Sequence, residues 1–343
     1  MALESSNDRL ASFSKKVWIT ISIVALFVIV FWILKATFNV LLLILAGVLI
    51  ALYFHGLSSL LHRKLSIPKK ATLITSIIGS LLLLGLFLWF AGSRIQGQVS
   101  ELRDTLPSAF ENFKEEINDS EIGKSIIDMI PSKPDTGKAA SALTSFFSST
   151  FGVIGDLYVV FFLGIFFIAS PKIYINGMLK LIPSPGKREA ENILSHLGLT
   201  LTKWLKGKIF SMIVVFVLTA IGLLILDVPL WLVLSLLAGL LSFVPNFGPL
   251  IAIIPAVLIG SMESTTTALL ILGLYILVQV LESNLITPKI QKRLINIPPA
   301  LIITSQLFMG VLTGGWGLVL ATPLIAILMV LVNKLYIEKQ EKW

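Results

Sequence analysis

A chain of 343 residues that is 56% hydrophobic and only 13% charged cannot clothe a soluble fold of its size, for which about 25% of residues are normally charged. Its mean hydropathy of +0.92 assigns the missing cover to lipid, so the expected fold class is an all-α polytopic integral membrane protein with about eight membrane-embedded helical segments. The net charge of +8 does not point to nucleic acid, because the basic residues stand between apolar runs as topology signals. The absence of cysteine excludes disulfides, thiolate catalysis and Cys-ligated metal.

A crossing helix needs roughly 20 mostly apolar residues. In chain order the runs are 17–34, 38–54, 71–92, 151–169, 209–226, 230–260, 265–281, 297–312 and 316–333. Lys15 and Lys16 precede the first run, as in a signal peptide. The run is longer than a usual signal core and no small-x-small cleavage site follows, so it reads as a retained anchor. Residues 93–149 are polar, with nine acidic against six basic residues. There Leu102, Leu106, Phe110, Phe113 and Ile117 recur at three and four, the pattern of an amphipathic helix. A second such stripe is Ile193, Leu194, Leu197, Leu201, Trp204 and Leu205, flanked by Lys187, Arg188, Lys203 and Lys206. It suits a cytoplasmic helix at about 185–207 lying on the membrane surface. Three parts are expected: transmembrane segments in 1–92, a polar helical extramembrane insert in 93–150, and a transport core in 151–343.

If the runs alternate in direction, 20 of the 27 Lys and Arg residues fall on one side, which is then the cytoplasm. Both termini are expected there. The alternation requires 230–260 to enter and leave on the same side, as a re-entrant hairpin or as two short crossings.

Enzyme motifs are missing. There is no Walker A sequence, no HExxH and no G-x-S-x-G elbow. The three histidines, His55, His62 and His196, are too few and too scattered for a metal site. A non-enzyme without cofactor or metal is expected.

Three interruptions of the apolar runs carry more. The first is Phe243-Val244-Pro245-Asn246-Phe247-Gly248-Pro249. Unpaired backbone groups cost several kcal/mol each in hydrocarbon, so such breaks persist inside protein or beside water, and transporters use them to meet solutes. A proline kink healed by neighbouring helices is an equal alternative. The second is Glu282-Ser283-Asn284-Leu285-Ile286-Thr287-Pro288, where a carboxylate ends an apolar run. A carboxylate within the membrane usually serves function; the alternative is an interfacial Glu282 paired with Lys289. The third, Thr313-Gly314-Gly315-Trp316-Gly317, reads best as a turn between two spans. Asp156 and Asp227 lie near run ends and are secondary candidates for a proton or ion carboxylate.

The C-terminal half resembles the autoinducer-2 exporter family of permeases. The resemblance rests on Trp204-Leu205-Lys206-Gly207-Lys208, Gly222 to Pro229, the Pro245–Pro249 break with Ile254-Pro255, Leu281 to Ile290, and Gly314-Gly315-Trp316-Gly317-Leu318 with Thr322-Pro323-Leu324. The family often carries a charge just after the fourth span, where this chain has Ser170-Pro171. The resemblance implies a multi-pass protein of the inner (plasma) membrane that exports a small polar solute, such as an autoinducer-2-like quorum-sensing signal, and forms a homo-oligomer. The expected pathway residues are Pro245, Asn246, Gly248, Pro249, Glu282, Asn284, Pro288, Gly314 and Gly315. Some family members resemble sodium/proton antiporters, and for that alternative Glu282, Asp156 and Asp227 would exchange a proton for a monovalent cation. A membrane scaffold recruiting partners through its insert is the third expectation. Beyond the lipid bilayer, the partner is expected to be the solute or cation and not nucleic acid.

Overall fold

The computed structural model describes residues 2–65, 68–118, 150–286 and 297–340. They are helical almost throughout, with no strand among the described residues. Helix α1 covers Ala2–Leu65 and α2 covers Lys69–Asn118. A bent pair follows, α3 (Thr150–Ala169) and α4 (Pro171–Lys180). Then come the long α5 (Lys187–Ile225), the short α6 (Trp231–Leu241) and α7 (Phe247–Glu263), and α8 (Thr265–Leu281). The last hairpin is α9 (Pro299–Thr313) with α10 (Gly315–Val332), ending in α11 (Glu338–Gln340).

Among the described residues, five helices are long and apolar enough to cross a membrane: Thr37–Lys64, Lys69–Phe87, Ser184–Ile225, Thr265–Leu285 and Gly315–Gln340. A sixth crossing is available to the pair Gly155–Ala169 and Pro171–Lys180, bent by 87°. The bend is local chemistry: Pro171 opens α4 at its first position and disfavours helical backbone at Ser170, whose φ of −142° is extended. The remaining apolar helices, α6, α7 and α9, are shorter. The architecture is therefore a polytopic α-helical membrane protein in which full spans alternate with short hairpin helices.

Three departures from the sequence-based expectation have one cause: a helix continues unless something stops it. The expected turn near Lys35 is absent, and α1 runs through both N-terminal apolar stretches. Ile33-Leu34-Lys35-Ala36-Thr37-Phe38 holds no Pro or Gly to break it. At 64 residues, α1 is about 96 Å long, far beyond the ~30 Å of a bilayer core. Likewise α2 carries the third apolar run into the polar segment without a boundary at residue 93. The surface helix expected at 185–207 is one piece with the fifth span, a single 39-residue α5.

Two apolar clusters hold the bundle, and α5 belongs to both. One joins α2, α5, α6, α7 and α8 through Leu106, Leu223, Val233, Ala256 and Ile271. The other joins α1, α3, α5, α9 and α10 through Leu42, Val160, Trp204, Met309 and Leu320. The amphipathic stripe of α2 reaches the first cluster with Leu102, Leu106 and Ala109. Gln98 of the same helix accepts a hydrogen bond at 3.1 Å from the backbone N–H of Val233. That N–H lies in the first turn of α6, whose donors have no partner within their own helix. The polar half of α2 thus caps and covers the α5–α6 corner. Around the outside, Leu82, Phe90 and Val311 among many others remain exposed, as lipid-facing side chains do.

Candidate functional site

The break between α6 and α7 is built from its prolines outward. Approaching it, α6 tightens: Phe243 and Val244 donate to Leu240 and Leu241, three residues back. Pro245 has no N–H to continue the ladder. Asn246 then takes φ 66° and ψ −53°, and the Phe247 N–H donates to the Pro245 carbonyl at 2.8 Å. This is a γ-turn of the positive-φ kind, rare and strained for any residue with a Cβ. Gly248 lets the chain turn back on α6, since a Cβ there would lie 1.8 Å from the Leu241 carbonyl oxygen. Pro249 sits in the first turn of α7, where its missing N–H costs nothing.

A residue of another helix holds this turn. Gln306, on α9 and 0% exposed, donates from Nε2 to the same Pro245 carbonyl at 2.9 Å. Its Oε1 is buried without a hydrogen-bond partner.

The acidic corner lies at the end of α8, where the helix widens into a π-type turn over Glu282–Ile286; such turns recur at functional sites. Glu282 is 5% exposed. Its Oε1 accepts from the Ser211 hydroxyl at 2.5 Å and from the Lys208 ammonium at 3.3 Å. Both partners are on α5, and the Lys208 side chain is itself only 11% exposed. The carboxylate is therefore not free. It is charge-compensated inside the protein.

One face of α5 links break and corner. Trp204, Lys208 and Ser211 follow each other at four and three residues and so share a face. The Trp204 ring stands edge-on to Phe243 at 5.7 Å, at the threshold of the break. A stretch of α5 about 10 Å long thus meets the α6–α7 turn at one end and Glu282 at the other.

The other expected residues fall outside this meeting point. Asn284 is exposed and donates to the Val280 carbonyl of its own helix. Pro288, like Lys289, lies outside the described residues. Asp156 accepts from the Trp316 indole at 2.6 Å and ties α3 to α10. Asp227 is exposed, with φ 53°, in the turn leaving α5; 16 residues separate it from Ser211, about 24 Å along a helix. Gly314, with φ 65°, and Gly315 form the exposed turn between α9 and α10, which agrees with their reading as a plain turn. The carboxylates expected to act together are therefore apart. Among the described residues no three His, Asp or Glu side chains gather as a metal site.

Lys208, Ser211 and Gln306 are the residues that sequence reasoning missed. Lys208 counts as one more loop charge beside Lys203 and Lys206, and only its place on the Trp204 face marks it as inward. Gln306 did carry a signal: it is an amide inside the apolar run 297–312, and polar side chains within membrane segments are rarely idle.

Comparison with known proteins adds an independent line. The AI-2E family transporter profile matches residues 21–337. YueF of Bacillus subtilis, named as a candidate transport protein, is 25% identical over 306 residues, covering 83% of this chain and 80% of that protein. A second candidate transport protein of that organism, YrrI, is 28% identical over 151 residues, 44% of this chain and 43% of its own length. The AI-2 transport protein TqsA of Escherichia coli is 32% identical over 106 residues, 31% of each chain.

Proposed function

Because this chain belongs to the AI-2E family of transporters, we propose that it carries a small polar solute of the AI-2 kind outward across the plasma membrane, through the region where the α6–α7 break, Glu282 and α5 meet. The single observation that carries the reading is the buried, compensated Glu282–Lys208–Ser211 cluster set one helical stretch from a strained backbone break. Burying a charge pair and a γ-turn inside an apolar bundle is costly, and transport proteins meet that cost where a solute has to pass.

A polar, uncharged solute fits better than a cation. The Lys208 ammonium 3.3 Å from Glu282 already neutralises the carboxylate that a sodium ion would need as its counter-charge, and it repels a second cation. Among the described residues, the hydrogen-bond partners of Glu282 are Lys208 and Ser211, neither of them a carboxylate. The basic loops around Arg63–Lys70 and Lys172–Lys208 and the C-terminus are placed in the cytoplasm by the same charge rule as before. The N-terminus, with Arg9, Lys15 and Lys16, is read as cytoplasmic by the same rule.

The test is efflux from liposomes containing the purified chain. AI-2 loaded inside leaves faster than from protein-free vesicles, and a pH gradient drives no sodium flux. Equal AI-2 rates with and without protein overturn the solute; a pH-driven sodium flux lost in Glu282→Gln restores the antiporter.

A further inference from the structure

The break and the acidic corner describe a path but leave open what selects the solute. We propose that Gln306, with Thr322 at the same depth of the α9–α10 hairpin, is the recognition site for an uncharged hydroxylated solute, which donates a hydroxyl proton to the free Gln306 Oε1 at the Pro245 turn. The inference rests on the transport reading given above and names its selecting residues.

Gln306 is 0% exposed, and its amide is used on one side only: Nε2 binds the Pro245 carbonyl at 2.9 Å, while Oε1 is buried with no partner. An acceptor withdrawn from water and left unpaired is unfavourable. On the donor side, the Pro245 carbonyl that Gln306 holds also accepts from the Phe247 N–H. A leucine or methionine would fill the same space among the apolar residues of α9 without stranding an oxygen. Both Oε1 and Nε2 branch from one amide carbon, so the stranded oxygen lies at the γ-turn itself.

A second stranded atom lies at the same depth. Gln306 precedes Gly314 by eight residues and Thr322 follows it by eight. In the antiparallel α9–α10 hairpin both therefore stand about 12 Å from the turn. Thr322 is 4% exposed and its hydroxyl is also buried without a partner. An amide oxygen accepts, and a threonine hydroxyl both donates and accepts. Neither carries charge, and the ion pair of the region compensates itself. A charged solute would find no counter-charge here; a small molecule bearing neighbouring hydroxyls satisfies both atoms.

The experiment measures AI-2 efflux from proteoliposomes with the wild-type chain, Gln306→Met and Thr322→Val, and pairs it with protection of a reporter thiol. Since the chain has no cysteine, Asn246→Cys at the γ-turn supplies a single thiol for a water-soluble maleimide. The expected result is a KM for AI-2 raised about tenfold or more in Q306M and severalfold in T322V, the loss due to one hydrogen bond to a buried partner. AI-2 slows thiol labelling in the wild-type background and fails to do so with Q306M. If Q306M does not reach the membrane, the isosteric T322V decides alone. Wild-type KM and wild-type protection in either folded variant overturn the site while leaving the transport reading intact. No AI-2 efflux from the wild type overturns the transport reading, and this inference with it.

Discussion

The two helical hairpins α6–α7 and α9–α10 solve the same problem in opposite ways. Each turns the chain back where a positive φ is needed. The α9–α10 hairpin gives that φ, 65°, to Gly314 in an exposed turn, and glycine takes it without strain. The α6–α7 hairpin gives a φ of 66° to Asn246, closes a γ-turn over it, and fastens the turn to a buried glutamine. One turn is a plain connection; the other keeps strain and has its Pro245 carbonyl held by a glutamine of a different helix. Backbone strain is retained where the surrounding structure over-determines it, and such places cluster at functional sites. The contrast marks the α6–α7 break, and not the α9–α10 turn, as the candidate for function without reference to motif.

The sharpest way to break the comparison is a side chain at Gly248. A Cβ there meets the Leu241 carbonyl oxygen at 1.8 Å, so Gly248→Ala must push the two helices apart and is expected to lose more than about 3 kcal/mol. Gly315→Ala, with open space around its Cβ, is expected to stay within about 0.5 kcal/mol. Melting temperatures in one detergent check both; equal losses would remove the asymmetry.

Next in size is the acidic corner. Glu282→Gln leaves the Lys208 ammonium buried and unpaired, which costs about 3–5 kcal/mol. Removing both charges together, as K208M with E282Q, is expected to restore most of that stability, because an apolar replacement of a buried pair is often neutral. A double-mutant cycle on thermal unfolding measures the coupling. A coupling near zero would mean that the pair is solvated.

A smaller effect sharpens the hairpin contrast directly. Asn246→Gly is expected to raise stability by about 1 kcal/mol by relieving the γ-turn, while Gly314→Ala lowers it by a similar amount because alanine resists φ 65°. Smallest is Asp156→Asn, which keeps an acceptor for the Trp316 indole. It is expected to cost under about 1 kcal/mol and to leave transport unchanged, since Asp156 serves as the acceptor tying α3 to α10.

Much of this was legible in the residues. Lipid-scale apolar runs, the double-proline break and the isolated carboxylate each announce themselves within a few positions, because membrane energetics penalise them one residue at a time. What was hidden is long-range. The partner of Glu282 is 74 positions away at Lys208, and no spacing rule connects them; Lys208 looks like a topology charge until the shared face with Trp204 is known. The Gln306 contact crosses 61 positions to Pro245 and is equally silent. The fused helices α1, α2 and α5 were misjudged for a different reason. A change from apolar to polar composition marks where the solvent changes, not where the backbone stops, and only Pro, Gly or a cap stops a helix.

The central claim is that the Glu282–Lys208–Ser211 cluster serves passage of solute and not merely packing. The initial rate of AI-2 efflux from liposomes carrying the K208M/E282Q double variant, matched to wild type for folded protein, tests it most directly. A well-folded protein with less than about a tenth of the wild-type rate is expected, the loss corresponding to roughly 1.4 kcal/mol or more in the barrier. A folded double variant that exports AI-2 at the wild-type rate would contradict it.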